Sequence, residues 1–176
     1  RRIVSGDLPM LPTTEEQSEY FRRGLEIVAE NPMARRIDTT HWTTDHRERS
    51  IYNTLAKRGN DILAFGSGAG GFIGEVMWRN HGGLTPYEKM VEEGRKPFQF
   101  MGEQADEHRM HSEIGDQIEH GYLYAPFFEK KYGVDLVAEM EPLLAAWAEN
   151  GLIIRTGTGF RLTLAGEFWH DNLIQG

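Results

Sequence analysis

The residues whose types and spacing suit them to chemistry are a set of histidines and a run of glycines. His41 and His46 flank Trp42 and Asp45, and His108 and His111 stand three apart. On a helix, two imidazoles at that spacing share a face and can hold one metal ion or a haem iron. The pair lacks the glutamate of a His-Glu-x-x-His zinc site, and solvated helix-surface histidines are its plainer reading. Gly66, Gly68, Gly70 and Gly71 follow the apolar run Asp61-Ile62-Leu63-Ala64-Phe65. Such a loop can approach a ligand closely and adopt positive φ. It is not a dinucleotide Gly-x-Gly-x-x-Gly, because no helix follows at the right spacing, and it has no P-loop lysine. A purely structural turn accounts for the glycines equally well. No Ser-His-acid arrangement stands in a nucleophile-elbow context. The acidic pairs Glu15-Glu16 and Glu92-Glu93 read as solvated helix surface.

Composition narrows the classes. None of the 176 residues is cysteine, so no disulfide, thiolate nucleophile or cysteine-ligated cluster forms within the chain. The formal net charge of -8 argues against a nucleic-acid partner, since an acidic chain gains nothing from a phosphate backbone. No apolar stretch approaches the ~20 residues of a membrane span. The start, Arg1-Arg2-Ile3-Val4-Ser5-Gly6, has no apolar core of a signal peptide and no initiating Met. These features predict a cytoplasmic piece excised from a longer protein.

The elements that must position the histidines and glycines follow from periodicity and punctuation. Thr13 or Thr14 caps a helix over Glu15–Glu30 with Tyr20, Phe21, Leu25, Ile27 and Val28 as its apolar face, and Thr14 with Gln17 has capping-box spacing. Ala34 to Trp42 reads as a short strand running into a loop. A helix from about Glu48 to Lys57, with Ile51, Tyr52 and Leu55 inward, ends at a Gly59 cap. Asp61 to Phe65 then reads as a buried strand, so strand, helix and strand give a parallel α/β piece. A complete (β/α) barrel takes about 250 residues, so this reads as the tail of a larger sheet, with a small two- or three-layer α/β domain as the plainer alternative. Helices are predicted over Pro86–Glu93, Glu103–His120, Tyr124–Tyr132 and Leu136–Asn150, with Pro142 marking a true first turn. A hairpin pairs 151–155 with 159–163, and a last helix runs from Leu164 to Ile174, capped by Thr163. The fold class is therefore α/β: a partial (β/α) barrel-derived segment over 1–97 with its linker, then a mainly helical, winged-helix-like domain over 98–176. The hairpin carries little basic surface, which favours a packing or lid module over a DNA reader.

The stretch Gly59-Asn60-Asp61-Ile62-Leu63-Ala64-Phe65-Gly66-Ser67-Gly68-Ala69-Gly70-Gly71 resembles the late-barrel strand and glycine loop of coproporphyrinogen-oxidase-like radical S-adenosylmethionine (SAM) enzymes. Ser5-Gly6-Asp7-Leu8-Pro9, the acidic helix after Thr14, Asn53, and the closing Leu162-Thr163-Leu164-Ala165-Gly166-Glu167-Phe168-Trp169 resemble the same family in order and separation. Thr40-His41-Trp42, Arg47-Glu48-Arg49 and Phe65 to Gly71 are worded most like its anaerobic haem-utilisation (HutW/ChuW) branch.

The resemblance implies a parent enzyme that binds a [4Fe–4S] cluster and SAM. It would transfer a methyl group to haem and open the macrocycle, giving a linear tetrapyrrole and free iron. It implies that Gly66, Gly68, Ala69, Gly70 and Gly71 pack against SAM and that Asp38 accepts hydrogen bonds from its adenosyl part. His41 would touch a porphyrin carboxylate or the haem iron, and Trp42 would stack on the macrocycle. The family's Cys-x3-Cys-x2-Cys motif is absent, so the piece alone is expected to be inactive, with no metal ligands of its own. The alternatives are a part of an oxygen-independent coproporphyrinogen III oxidase, or a non-catalytic haem-binding module. Unpaired edges on the strands at Arg35–Thr39 and Asp61–Phe65 would favour a homodimer.

Overall fold

A computed structural model describes residues 10–57, 60–105 and 107–175. The chain divides into two compact units, 1–49 with 117–176, and 50–116. The expected division at 97/98 falls at the start of a strand whose partner precedes it in sequence.

In the first unit, α1 (Thr14–Ala29) opens with a capping box one residue earlier than the sequence suggests. Thr13 Oγ1 accepts from Glu16 N at 3.2 Å, and Glu16 Oε2 accepts from Thr13 N at 2.8 Å. Phe21, Leu25 and Val28 form the half-buried stripe, whereas Tyr20 and Ile27 are exposed. Phe21 meets Phe168 with ring centroids 5.8 Å apart. The expected single strand over 34–42 is instead a small antiparallel hairpin of β1 (Arg35–Arg36) and β2 (Trp42–Thr43). Asp38 and its neighbours fold the chain back before a longer strand can form.

The second unit begins with α2 (Ile51–Lys57), whose Ile51, Tyr52 and Leu55 are exposed rather than inward. The Gly59 cap lies outside the described residues. The expected parallel strand at 61–65 is not formed. That run makes one antiparallel bridge, Ile62 to Phe72, and leaves Leu63 and Phe65 exposed. An apolar run of five residues does not by itself select a ladder partner, and here the next ladder lies further on. β3 (Gly70–Ile73), β4 (Val76–Asn80) and, after α3 (Leu84–Glu92), β5 (Phe98–Glu103) form an antiparallel sheet in the order β3-β4-β5. All named strand pairs among the described residues are antiparallel, so the barrel-type parallel pairing expected of Arg35–Thr39 and Asp61–Phe65 is not formed there. The helix expected from Glu103 is shorter, because Phe98–Glu103 pairs with β4; α4 spans His108–Glu119.

The C-terminal residues hold most of the core. Helix α4 is followed by β6 (Tyr122–Tyr124), α5 (Ala125–Tyr132), α6 (Leu136–Glu139), α7 (Glu141–Glu149), β7 (Ile153–Thr156) and β8 (Gly159–Leu162). The sheet order is β6-β8-β7, so the hairpin expected from sequence adds a third strand. Pro142 stands in the first turn of α7, where its missing N–H costs nothing. Phe128, Leu144, Trp147, Ile153 and Phe160 are buried together, with Trp147 edge-on to Phe160 at 5.9 Å. α8 (Leu164–Phe168) starts at Thr163, whose Oγ1 accepts from Gly166 N at 3.1 Å and donates to Gly151 O at 2.6 Å. α9 (His170–Gln175) closes the chain.

Candidate functional site

The turn joining β1 to β2 is organised by one carboxylate. Asp38 is only 5% exposed. Its Oδ1 accepts from Thr40 N and His41 N, both at 2.8 Å, and from Thr40 Oγ1 at 3.2 Å. Its Oδ2 lies 2.7 Å from His41 Nδ1. An aspartate followed by donors two and three residues on is a local turn former, and this is why the chain reverses here. Burial pushes the Asp38 carboxyl up, but the amides of Thr40 and His41 and the His41 imidazole together outweigh it and hold it below its ordinary value.

The same contact fixes His41. With Nδ1 donating to Asp38, the free lone pair of a neutral ring is on Nε2. Nε2 makes no hydrogen bond among the described residues, and the side chain is 48% exposed. A buried carboxylate behind an outward imidazole is the arrangement that orients metal-ligating or proton-transferring histidines.

Arg36 ties this turn to the C-terminal helices. Its Nε donates to Asp38 O at 2.9 Å, its Nη2 to Thr39 O at 3.1 Å, and its Nη1 to Glu167 Oε1 at 2.9 Å. Its guanidinium also lies 5.6 Å from the Trp42 ring centroid. One face of Trp42 is thus covered, leaving at most the other for a planar ligand. Thr39 N donates to Glu119 O at 2.8 Å, which pins the turn to the end of α4. The sequence singles out Asp38, His41 and Trp42, and the structure adds Arg36 and Glu167 to the same turn. The Asp-x-Thr spacing signals the turn, whereas nothing local signals a partner 131 residues away.

The glycine loop lies in the other unit. Gly66 and Gly68 have φ of 97° and 75°, which require glycine. The loop is stitched to the end of β4: Gly68 N donates to His81 O at 2.8 Å, Ser67 Oγ to His81 O at 3.0 Å, and Asn80 Nδ2 to Gly66 O at 3.0 Å. Asn80 N also donates to Ala69 O at 2.9 Å. Gly70 and Gly71 are strand residues, paired with Arg79 and Trp78. The premise that this loop caps a parallel strand is therefore overturned. Gly71 has a packing reason of its own, because the indole of buried Trp78 lies directly over it.

The fit to the implied cofactors differs. No cysteine is available, so the residues present do not fit a [4Fe–4S] cluster. A Cβ at Gly66 would meet nothing within 4 Å, so no packing contact requires glycine there beyond its positive φ, and the Gly68 amide is already engaged by His81 O. Asp38 is buried and turned to donors of its own turn, so it does not present its carboxylate outward as the sequence reading expected. His108 and His111 are both exposed in the first turn of α4, and among the described residues no cluster of three potential metal ligands occurs.

No family model matches the chain. The anaerobilin synthase of Escherichia coli O157:H7 is 32% identical over 179 residues, covering 99% of this chain. The chain is related to the radical SAM family of coproporphyrinogen oxidases and anaerobilin synthases. It spans 38% of the length of that curated relative. A solved structure of coproporphyrinogen III oxidase from Escherichia coli, described as a radical SAM enzyme, superposes with a TM-score of 0.72 at 18% identity. The match covers 94% of this chain and 41% of that one, and at that identity it shows the fold alone. No helix among the described residues is long and apolar enough to cross a membrane.

Proposed function

We propose that the chain is the C-terminal portion of a haem-processing radical SAM enzyme. In that reading the parent transfers a methyl group from SAM to haem and opens the macrocycle, releasing iron. The observation that carries it is the 32% identity to an anaerobilin synthase along essentially the whole chain. SAM, when bound, supplies the transferred methyl group and the radical chemistry. This chain's part is positioning. Gly66, Gly68, Ala69, Gly70 and Gly71 form the cofactor-side loop and strand. His41, oriented by Asp38, presents Nε2 to the haem iron or to a propionate, and Trp42 offers the face that Arg36 leaves open. The winged-helix-like end of that parent is the part built from β6, α5, α6, α7, β7, β8, α8 and α9. Without cluster-ligating cysteines the chain alone has no such activity.

A chimera tests this directly: the corresponding segment of the Escherichia coli anaerobilin synthase is replaced by this chain. The expected outcome is anaerobic consumption of haem with iron release, reduced by His41→Ala while reductive SAM cleavage persists. A chimera that cleaves SAM but leaves haem intact would sink the proposal. The second reading is an oxygen-independent coproporphyrinogen III oxidase, which shares the fold, so the fold does not separate the two. Decarboxylation of coproporphyrinogen without haem consumption would select it.

A further inference from the structure

Arg36 is a strand residue of β1 and Glu167 a helix residue of α8, and their ion pair joins the two across 131 positions of sequence. The helix end of this pair has little slack. Thr163 Oγ1 caps α8 and donates to Gly151 O, and Thr163 N donates to Leu152 O at 2.9 Å. A Cβ at Gly166 would collide with Leu152 O, so the backbone beside Glu167 is pressed against the chain entering β7. Glu167 therefore offers its carboxylate from a fixed place.

The other end is a guanidinium with three separate contacts. Of its five N–H donors, Nε and Nη2 share one edge, and they take the carbonyls of Asp38 and Thr39. Nη1 reaches Glu167, and the flat cation stands 5.6 Å from the Trp42 ring centroid. Asp38 is thus held twice, its carbonyl by Arg36 and its carboxylate by turn donors that include His41. The plane of Trp42 and the direction of His41 Nε2 both depend on where this one cation sits. Stability alone does not call for the arrangement. The Arg36 and Glu167 side chains are 31% and 16% exposed, and a partly solvated ion pair contributes little by itself. What the three-way contact adds is orientation, because a planar fork fixes a direction that a flexible ammonium does not.

We propose that Glu167, acting through Arg36, is a positioning residue: α8 sets the face of Trp42 and the direction of His41 Nε2 that meet the substrate. The proposal rests on the haem reading above and adds to it residues that touch no substrate atom. Glu167 holds Arg36, Arg36 covers one face of Trp42, and the substrate is left the other. Removing the carboxylate lets the guanidinium leave Trp42, so substrate still binds but in more than one pose. Misplacement by about 1 Å costs up to about a hundredfold in rate, while contact area, and with it affinity, is largely kept.

Two measurements test this. In the 176-residue chain, nuclear Overhauser effects between Arg36 side-chain protons and Trp42 indole protons report the stacking. They should be present in the native chain and in Glu167→Gln, which keeps an oxygen acceptor for Nη1, and lost in Glu167→Ala. In the chimera with the Escherichia coli anaerobilin synthase, Glu167→Ala should lower kcat for haem consumption about tenfold or more, leave KM within about twofold, and raise the amount of SAM cleaved per haem consumed. Glu167→Gln should restore most of kcat, whereas Arg36→Lys, which cannot make the planar three-way contact, should behave like Glu167→Ala. A merely structural role would lower SAM cleavage and haem consumption together and leave their ratio unchanged. That result, or a stacking signal that survives Glu167→Ala, overturns the proposal. If the native chimera leaves haem intact, the haem reading falls, and the Overhauser measurement still decides whether Glu167 holds Arg36 over Trp42.

Discussion

Gly71→Ala separates a glycine kept for packing from one kept for a ligand. A Cβ built at residue 71 would lie 2.8 Å from Trp78 Cη2 and closer still to Cζ2 and Cε2. Carbon atoms in contact sit about 3.5–4.0 Å apart, so the indole must retreat by more than about 1 Å. It cannot do so freely, because Trp78 is 8% exposed and is held against Phe98. Overpacking of this kind costs about 1–3 kcal/mol. Gly70→Ala is the internal control. Its Cβ would find only Trp78 O, at 3.8 Å, an ordinary contact. Alanine is also no worse than glycine in a strand, so the change should be neutral within about 0.5 kcal/mol. Two units make a single global transition an unsafe measure, so the assay is native-state amide exchange in Gly70–Ile73 and Val76–Asn80. Opening free energies there should fall by about 1–3 kcal/mol for Gly71→Ala and stay level for Gly70→Ala. Equal protection in both variants would refute the packing argument and return Gly71 to the ligand side.

Other outcomes follow from the turn and the caps. Asp38 is held below its ordinary pKa, so its contribution to the turn is present above the unfolded value of about 3.9 and is lost as pH falls through the folded value; the amide shift of Thr40 should report turn loss below about pH 4. Arg36→Met removes the Glu167 bridge and two carbonyl contacts, and exchange at Ile37 and Asp38 should report a loss on the order of 1–2 kcal/mol. Thr163→Ala strips the α8 cap and its link to Gly151, lowering stability of the C-terminal residues by about 1–2 kcal/mol in urea titration.

What could be read from sequence was what short-range chemistry decides. Thr163 before Leu164, Pro142 in the first turn of α7, and the turn residues Gly157 and Thr158 each act within four positions, and the corresponding elements are where the residues predict. The β3-β4-β5 sheet was not legible. β4 carries Val76-Met77-Trp78-Arg79-Asn80, whose alternation breaks at a register shift between Arg79 and Asn80. Its second partner begins 18 residues after it ends, beyond α3, and contains Gly102. The run at 61–65 misled for the converse reason. It has strand composition, but exposure of Leu63 and Phe65 shows that composition sets what a segment tolerates, not what covers it.

The candidate site divides along the same line. Asp38, His41 and Trp42 stand within five residues, so the sequence brings them together whatever the fold, and an aspartate with donors at the second and third following positions would build this turn even in isolation. Its orientation is a different matter. Arg36 anchors the turn through Glu167, and Thr39 anchors it through Glu119, and both partners are more than 75 residues distant (~80 and ~130 by chain position). Local chemistry thus makes the Asp38–His41 pair, and long-range packing aims it. Substitutions at Asp38 should alter which ring nitrogen His41 presents, whereas substitutions at Arg36 or Glu167 should alter where it presents it. The first is a change in proton position and the second a change in geometry, so the two can be told apart by the nitrogen chemical shifts of His41, which respond to tautomer far more than to tilt of the ring.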